Sequence, residues 1–116
     1  MFVTGCGESA PDVTPVHGVI TLDGAPLNHA IITFQPVGKS PAVGNSDENG
    51  RYDLMYKRGV MGAPVGECVV TIFIDTYNNP QKLVIPPRYN TESELKREVA
   101  RGENEFNFDL TSSEKK

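Results

Sequence analysis

Val16-His17-Gly18-Val19-Ile20-Thr21-Leu22-Asp23-Gly24-Ala25-Pro26-Leu27-Asn28-His29-Ala30-Ile31-Ile32-Thr33-Phe34-Gln35-Pro36 carries two alternating apolar runs around an Asp-Gly pair. Period-two alternation puts Val16, Gly18, Ile20 and Leu22 on one face of a strand and His17, Val19 and Thr21 on the other. Asp-Gly between such runs is a strong short-range signal for a β turn, because glycine takes positive φ at no steric cost. A second strand is expected over Ala30 to Gln35, with Ile32 and Phe34 inward, and Pro36 ends it because it brings no N–H to a ladder.

The same grammar recurs outward from this stretch. A short edge strand is expected near Ala42–Asn45. Ser46-Asp47-Glu48-Asn49-Gly50 reads as a turn feeding a strand through Tyr52 and Leu54 to Tyr56. Glu67 to Ile74 is apolar and β-branched, bounded by Gly66 and by Asn78-Asn79-Pro80, and is the firmest strand of the chain. Thr91 to Val99 admits two readings, since Thr91-Glu92-Ser93-Glu94 looks like a capping box while Leu95 and Val99 also suit a short strand. The turn at Arg101-Gly102-Glu103-Asn104 favours the strand, paired as a hairpin with Phe106, Phe108 and Leu110. The expected fold class is therefore all-β, a single seven-stranded antiparallel β-sandwich.

Composition agrees. The chain has 116 residues, enough for one core, with eleven Gly, nine Pro and no Trp. Its net charge of −4 comes without a basic stripe: Lys96, Arg97 and Arg101 are interleaved with Glu94, Glu98 and Glu103. A nucleic-acid partner has little electrostatic support in that pattern. No apolar run reaches the roughly 20 residues of a membrane-spanning helix.

The start of the chain bears on the cellular address. Val3-Thr4-Gly5-Cys6 resembles the bacterial lipobox, in which small residues precede a cysteine that is acylated and becomes the new N-terminus. Gly7 to Asp12 would then belong to a flexible tether. A basic and an apolar region should precede such a box, whereas five residues stand before Cys6. The start was set too far downstream, or the signal was clipped, or the match is accidental. The organisation expected is a truncated signal and tether over 1–15, a β domain over 16–110 and a polar tail over 111–116. Cys68 shares a strand face with Val70 and Ile72 and reads as a buried small hydrophobe.

Several pieces in order carry a family resemblance. They are Val16-x-Gly18-x-Ile20-x-Leu22-Asp23-Gly24-x-Pro26-Leu27, Ala30-x-Ile32-x-Phe34-x-Pro36, Asp47-x-x-Gly50-x-Tyr52-x-Leu54 and Gly62-Ala63-Pro64-x-Gly66. Ile85-Pro86-x-x-Tyr89 and Gly102-Glu103-Asn104-x-Phe106-x-Phe108-x-Leu110 complete them. Together they resemble the carboxypeptidase regulatory-like domain, a transthyretin-like (prealbumin-like) Greek-key sandwich of immunoglobulin-like character. The likeness is greatest to small bacterial surface lipoproteins built on one such domain. The resemblance implies a non-enzymatic module without a cofactor, whose relatives serve as accessory, adhesive or scaffolding domains.

Candidate sites are few. Arg88 and Tyr89 follow a stiff Pro86-Pro87 step that would present a guanidinium and an aromatic ring together, a pairing common at recognition hot spots. Tyr56 and Tyr77, near strand ends, could stack on sugars or cap the core. Asp47, Asn49 and Asp53 alternate as calcium ligands do, but the glycine falls too early for an EF-hand and turn chemistry accounts for them. His17 and His29 sit on different elements, and the serines lie in tether, loop or tail without a nucleophile elbow. The lysines fall outside core strands, which argues against an isopeptide crosslink. The expected role is a non-catalytic envelope lipoprotein module, held at the membrane by a lipid on Cys6 and binding a protein or polysaccharide. The alternative is an accessory domain acting with a separate peptidase or transporter.

Overall fold

The computed structural model describes residues 13–57, 60–75, 77, 84–93 and 95–111. Cys6, its expected tether and the tail beyond Thr111 lie outside the described residues. The strands are β1 (Val13–Thr14), β2 (Val16–Leu22), β3 (Ala25–Pro26), β4 (Ala30–Pro36), β5 (Ala42–Asn45), β6 (Arg51–Asp53), β7 (Met55–Lys57), β8 (Val60–Met61), β9 (Ala63–Pro64), β10 (Gly66–Ile74), β11 (Lys96–Val99), β12 (Asn104–Glu105) and β13 (Phe108–Leu110). Over the described residues the fold is all-β, and Val13–Thr14, inside the segment expected to be tether, is already paired.

These strands form three sheets where one seven-stranded antiparallel sandwich was expected. One sheet runs in the order β11-β10-β4-β5-β7-β8; a second has β2 at its centre, flanked by β12 and β13 with β3 and β6 opposite; β1 and β9 make a third. Most pairs are antiparallel, but β12 and β13 run parallel to β2. The Asp23-Gly24 turn forms as expected, with φ of 55° and 88° at its two central residues. It folds β2 back only onto the two-residue β3, where Pro26 opposes Thr21. The chain then leaves for the other sheet, so the two apolar runs of the opening stretch face each other across the core instead of pairing.

Alternation is obeyed where ladders are long. Val16, Gly18, Ile20 and Leu22 of β2 are buried, as are Ala30, Ile32, Phe34 and Pro36 of β4. β4 pairs with β10 over seven consecutive positions, Cys68 opposite Pro36 through Ile74 opposite Ala30. Phe34 of β4 meets Phe106 and Phe108 at ring-centroid distances of 5.8 and 6.4 Å, and Phe108 meets Tyr52 at 6.4 Å. These rings join the inner faces of the two large sheets into one core. Cys68 is buried in it, and burial pushes its thiol up.

Leu54 explains how one run serves both sheets. Its N–H donates to Val16 O at 3.0 Å on one side, and its carbonyl accepts from Gly62 N at 2.6 Å on the other. β6 and β7 are therefore two halves of one extended run that crosses between sheets at this residue. β5, expected at an edge, is interior between β4 and β7.

The C-terminal pairing corrects the expected hairpin. Lys96–Val99 is a strand, but it pairs with β10, with Val99 opposite Gly66 and Lys96 opposite Val69. The chain then turns at Gly102, φ 97°, and crosses to lie beside β2. Asn104, only 7% exposed, holds that crossing: its side chain accepts from Ala100 N (2.9 Å) and donates to Ala100 O (2.8 Å) and Pro15 O (3.2 Å). Further along, the Asn107 side-chain oxygen accepts from Val19 N at 2.9 Å, where the β2 ladder is interrupted between β12 and β13. Gly18 permits this close passage, because a Cβ there would sit 1.9 Å from Phe106 O.

Candidate functional site

Pro86 and Pro87 place the first candidate pair. Pro86 is extended and Pro87 opens a single 3-10 turn over Pro87–Tyr89, closed by Tyr89 N–H donating to Pro86 O at 3.0 Å. Proline suits that first position, since its φ is already helical and its missing N–H would have found no partner. Downstream side chains dock the segment on β10: Asn90 donates to Ile72 O at 3.1 Å and Ser93 donates to Val70 O. These bonds satisfy carbonyls along a strand edge that β11 leaves uncovered.

The pair itself is tied to the end of β13. Arg88 donates from one guanidinium nitrogen to Thr111 O (3.0 Å) and Thr111 Oγ1 (2.6 Å), and its guanidinium lies 4.7 Å from the Tyr89 ring centre. The Tyr89 hydroxyl accepts from Thr111 N at 3.1 Å. Burial alone raises the Tyr89 phenol, but the Thr111 hydrogen bonds and the Arg88 guanidinium outweigh it and leave it below its ordinary value. Arg88, Tyr89, Glu92 and Leu95 line a shallow cleft of about 470 Å³. A stacked ring and guanidinium beside a carboxylate and an apolar floor can hold a polar ligand that also offers an apolar face.

The other two expected residues do not join this cleft. Tyr56 belongs to β7, three strands from β10 in the six-stranded sheet, and packs partly buried against the core. At roughly 4.8 Å per strand that separation is about 14 Å. Tyr77 lies beyond the end of β10, 94% exposed, with its N–H donating to Asp75 Oδ1 at 3.0 Å. The structure thus brings together Arg88 and Tyr89, and leaves Tyr56 and Tyr77 apart from them.

Sequence reasoning missed a second cleft, of about 370 Å³, on the outward face of the sheet centred on β2. His17 stands between Asp53 of β6 and Glu105 of β12, each its direct cross-strand partner, with Arg51 opposite Val19 one step along the same face. The signal in the sequence was the outward alternation of β2, but its charged neighbours arrive from strands 36 and 88 residues away, a pairing that period alone does not disclose. Among the described residues no three His, Cys, Asp or Glu side chains cluster to hold a metal. Asp47, the centre of the calcium alternative, accepts from Asn49 N (2.8 Å) and Arg51 N (2.9 Å), and these backbone bonds hold its carboxyl below the usual value. It builds the turn, as its residue type predicts.

What these features define is an all-β, β-sandwich-like fold with shallow polar clefts on its outer surfaces. Among solved structures the chain is similar to a DUF3823 family protein from Parabacteroides merdae, at 17% sequence identity and a TM-score of 0.53. The alignment covers 89% of this chain and 48% of that one, so the chain spans about half the length of this neighbour. The likeness is one of fold. No family model matches the chain, and no curated protein matches it.

Proposed function

We propose that this chain is a non-catalytic envelope module of the carboxypeptidase regulatory-like, transthyretin-like type, tethered by a lipid on Cys6 and binding a protein or polysaccharide at the surface. Seven principal runs support the finer fold assignment: β2, β4, β5, β6–β7, β10, β11 and β12–β13, with the interruptions at Leu54 and Asn107 counted as bends within a run. The observation that carries the tethered role is where the chain joins the fold. Val13–Thr14 pairs with Ala63–Pro64 in a small sheet of its own, beginning seven residues after the cysteine of Val3-Thr4-Gly5-Cys6. An anchor there leaves the Arg88–Tyr89 cleft, built on β10 and fixed to Thr111, free to meet a partner.

Binding to isolated envelope polysaccharide and to detergent-solubilised envelope proteins tests this role, comparing the native chain with Tyr89→Ala. Retention by the native chain, weakened at least tenfold in the variant, is the expected result. Reproducible turnover of ester, peptide or glycoside substrates by the pure chain would overturn it. A second reading, an accessory domain working with a separate peptidase or transporter, is favoured by the neighbour in which a unit of this size occupies about half of a longer chain. A partner enzyme whose rate changes on adding the chain would select that reading.

A further inference from the structure

The outer face of the six-stranded sheet changes character from one end to the other. At the β11 end Glu67 opposes Glu98 and Val69 opposes Lys96. At the β8 end Val43 opposes Met55 and Met55 opposes Met61, an apolar row across three strands that ends at Thr33 of β4. Val43, Met55, Val60 and Met61 are 38%, 44%, 42% and 53% exposed. A contiguous row of exposed apolar side chains of this kind marks a contact surface, and its apolar character suits the boundary of a bilayer.

The N-terminal strand meets the fold at this same end. β1 lies against β8 and β9, and Gly62, next to Met61, passes so close to it that a Cβ would stand 2.2 Å from Thr14 O and 3.1 Å from Val13 Cγ1. With φ at 115°, Gly62 is the residue that allows the crossing. Seven chain steps separate Cys6 from Val13, a maximum reach of about 24 Å. A lipid on Cys6 would therefore hold the β8 end of the sheet near the bilayer. We propose that the Val43–Met55–Met61 face, with Val60 beside it, rests on the lipid surface when the chain is anchored at Cys6.

Area argues for lipid over a second copy of the chain. Four half-exposed side chains offer on the order of 300 Å², well short of the about 800 Å² per partner of a standard protein interface. A patch this small binds weakly from solution, but a short tether raises its effective concentration at the bilayer to the order of millimolar.

The proposal rests on the tethered reading, and its test separates the two. Cys6 of the full chain is coupled to a maleimide lipid in vesicles of phosphatidylethanolamine and phosphatidylglycerol, so the anchor is present whether or not the cell supplies one. Cys68, 1% exposed, is withheld from the reagent. Methyl NMR of ¹³C-methionine then reports Met1, Met55 and Met61, with a Val19→Met variant as reporter on the opposite sheet. A headgroup-nitroxide lipid should erase the Met55 and Met61 signals and spare the Val19→Met signal. Retained Met55 and Met61 signals, or equal loss of all reporters, would overturn the proposal. So would shifts of Met55 and Met61 that grow with protein concentration without lipid, which would mark a second copy as the occupant.

Discussion

The β4–β10 ladder and the C-terminal stretch from Ile85 to Thr111 are held by different means. The first is seven consecutive backbone pairs over one buried face. In the second, short strands are fastened by side chains: Asn90 and Ser93 on β10, Asn104 on Ala100 and Pro15, Asn107 on Val19, Arg88 and Tyr89 on Thr111. A ladder spreads its stability over many equivalent bonds, whereas a clasp concentrates it in a few residues whose loss is felt locally.

The largest break in this contrast is in the core that both regions share. Phe34→Ala empties the space between Phe106 and Phe108 and should cost about 3–5 kcal/mol in denaturant unfolding, lowering the stability of the whole chain. Asn104→Ala comes next. It removes the bonds of a buried side chain to Ala100 and Pro15 and should cost about 1–3 kcal/mol, with protection lost first in β12 and β13 while the β4–β10 amides keep theirs in hydrogen exchange.

Smaller effects sharpen the comparison. Arg88→Ala and Tyr89→Phe should each cost about 1 kcal/mol or less, and a double-mutant cycle should show them coupled because both bind Thr111. In a tyrosinate absorbance titration Tyr89, lowered by its partners, should ionise before Tyr52, because burial holds the Tyr52 phenol far above the ordinary value. Tyr89→Phe should remove the Tyr89 step and leave that of Tyr52 in place. Asp47 has the smallest effect. Its folded value is depressed, so its contribution is full above the unfolded carboxylate value of about 4 and fades as pH falls through the folded one. Asp47→Ala should flatten that acid-side loss in urea midpoints measured across this range.

The contrast also explains what could be read from sequence. β2, β4 and β10 announce themselves because burial imposes a period of two on their residues, and Asp23-Gly24 because its turn demands positive φ twice. Lys96–Val99 was legible as a strand, but its partner was not: local pattern says which residues face inward and is silent on which strand lies alongside. Asn104 reads as an ordinary turn residue and Asn107 as an outward strand position, since the bonds that matter reach backbone 89 and 88 positions away. At the site, Pro86-Pro87 made Arg88 and Tyr89 visible as neighbours. The separation of Tyr56 and the charged row around His17 depend on strand order, which their local sequence does not contain.

Acyl labelling of the protein expressed from its native locus, beside Cys6→Ala, decides whether a lipid on Cys6 tethers the domain. Label in the native protein and none in the variant, with the variant released from the envelope fraction, is the expected result. An unlabelled native protein, recovered with the soluble fraction, would contradict it.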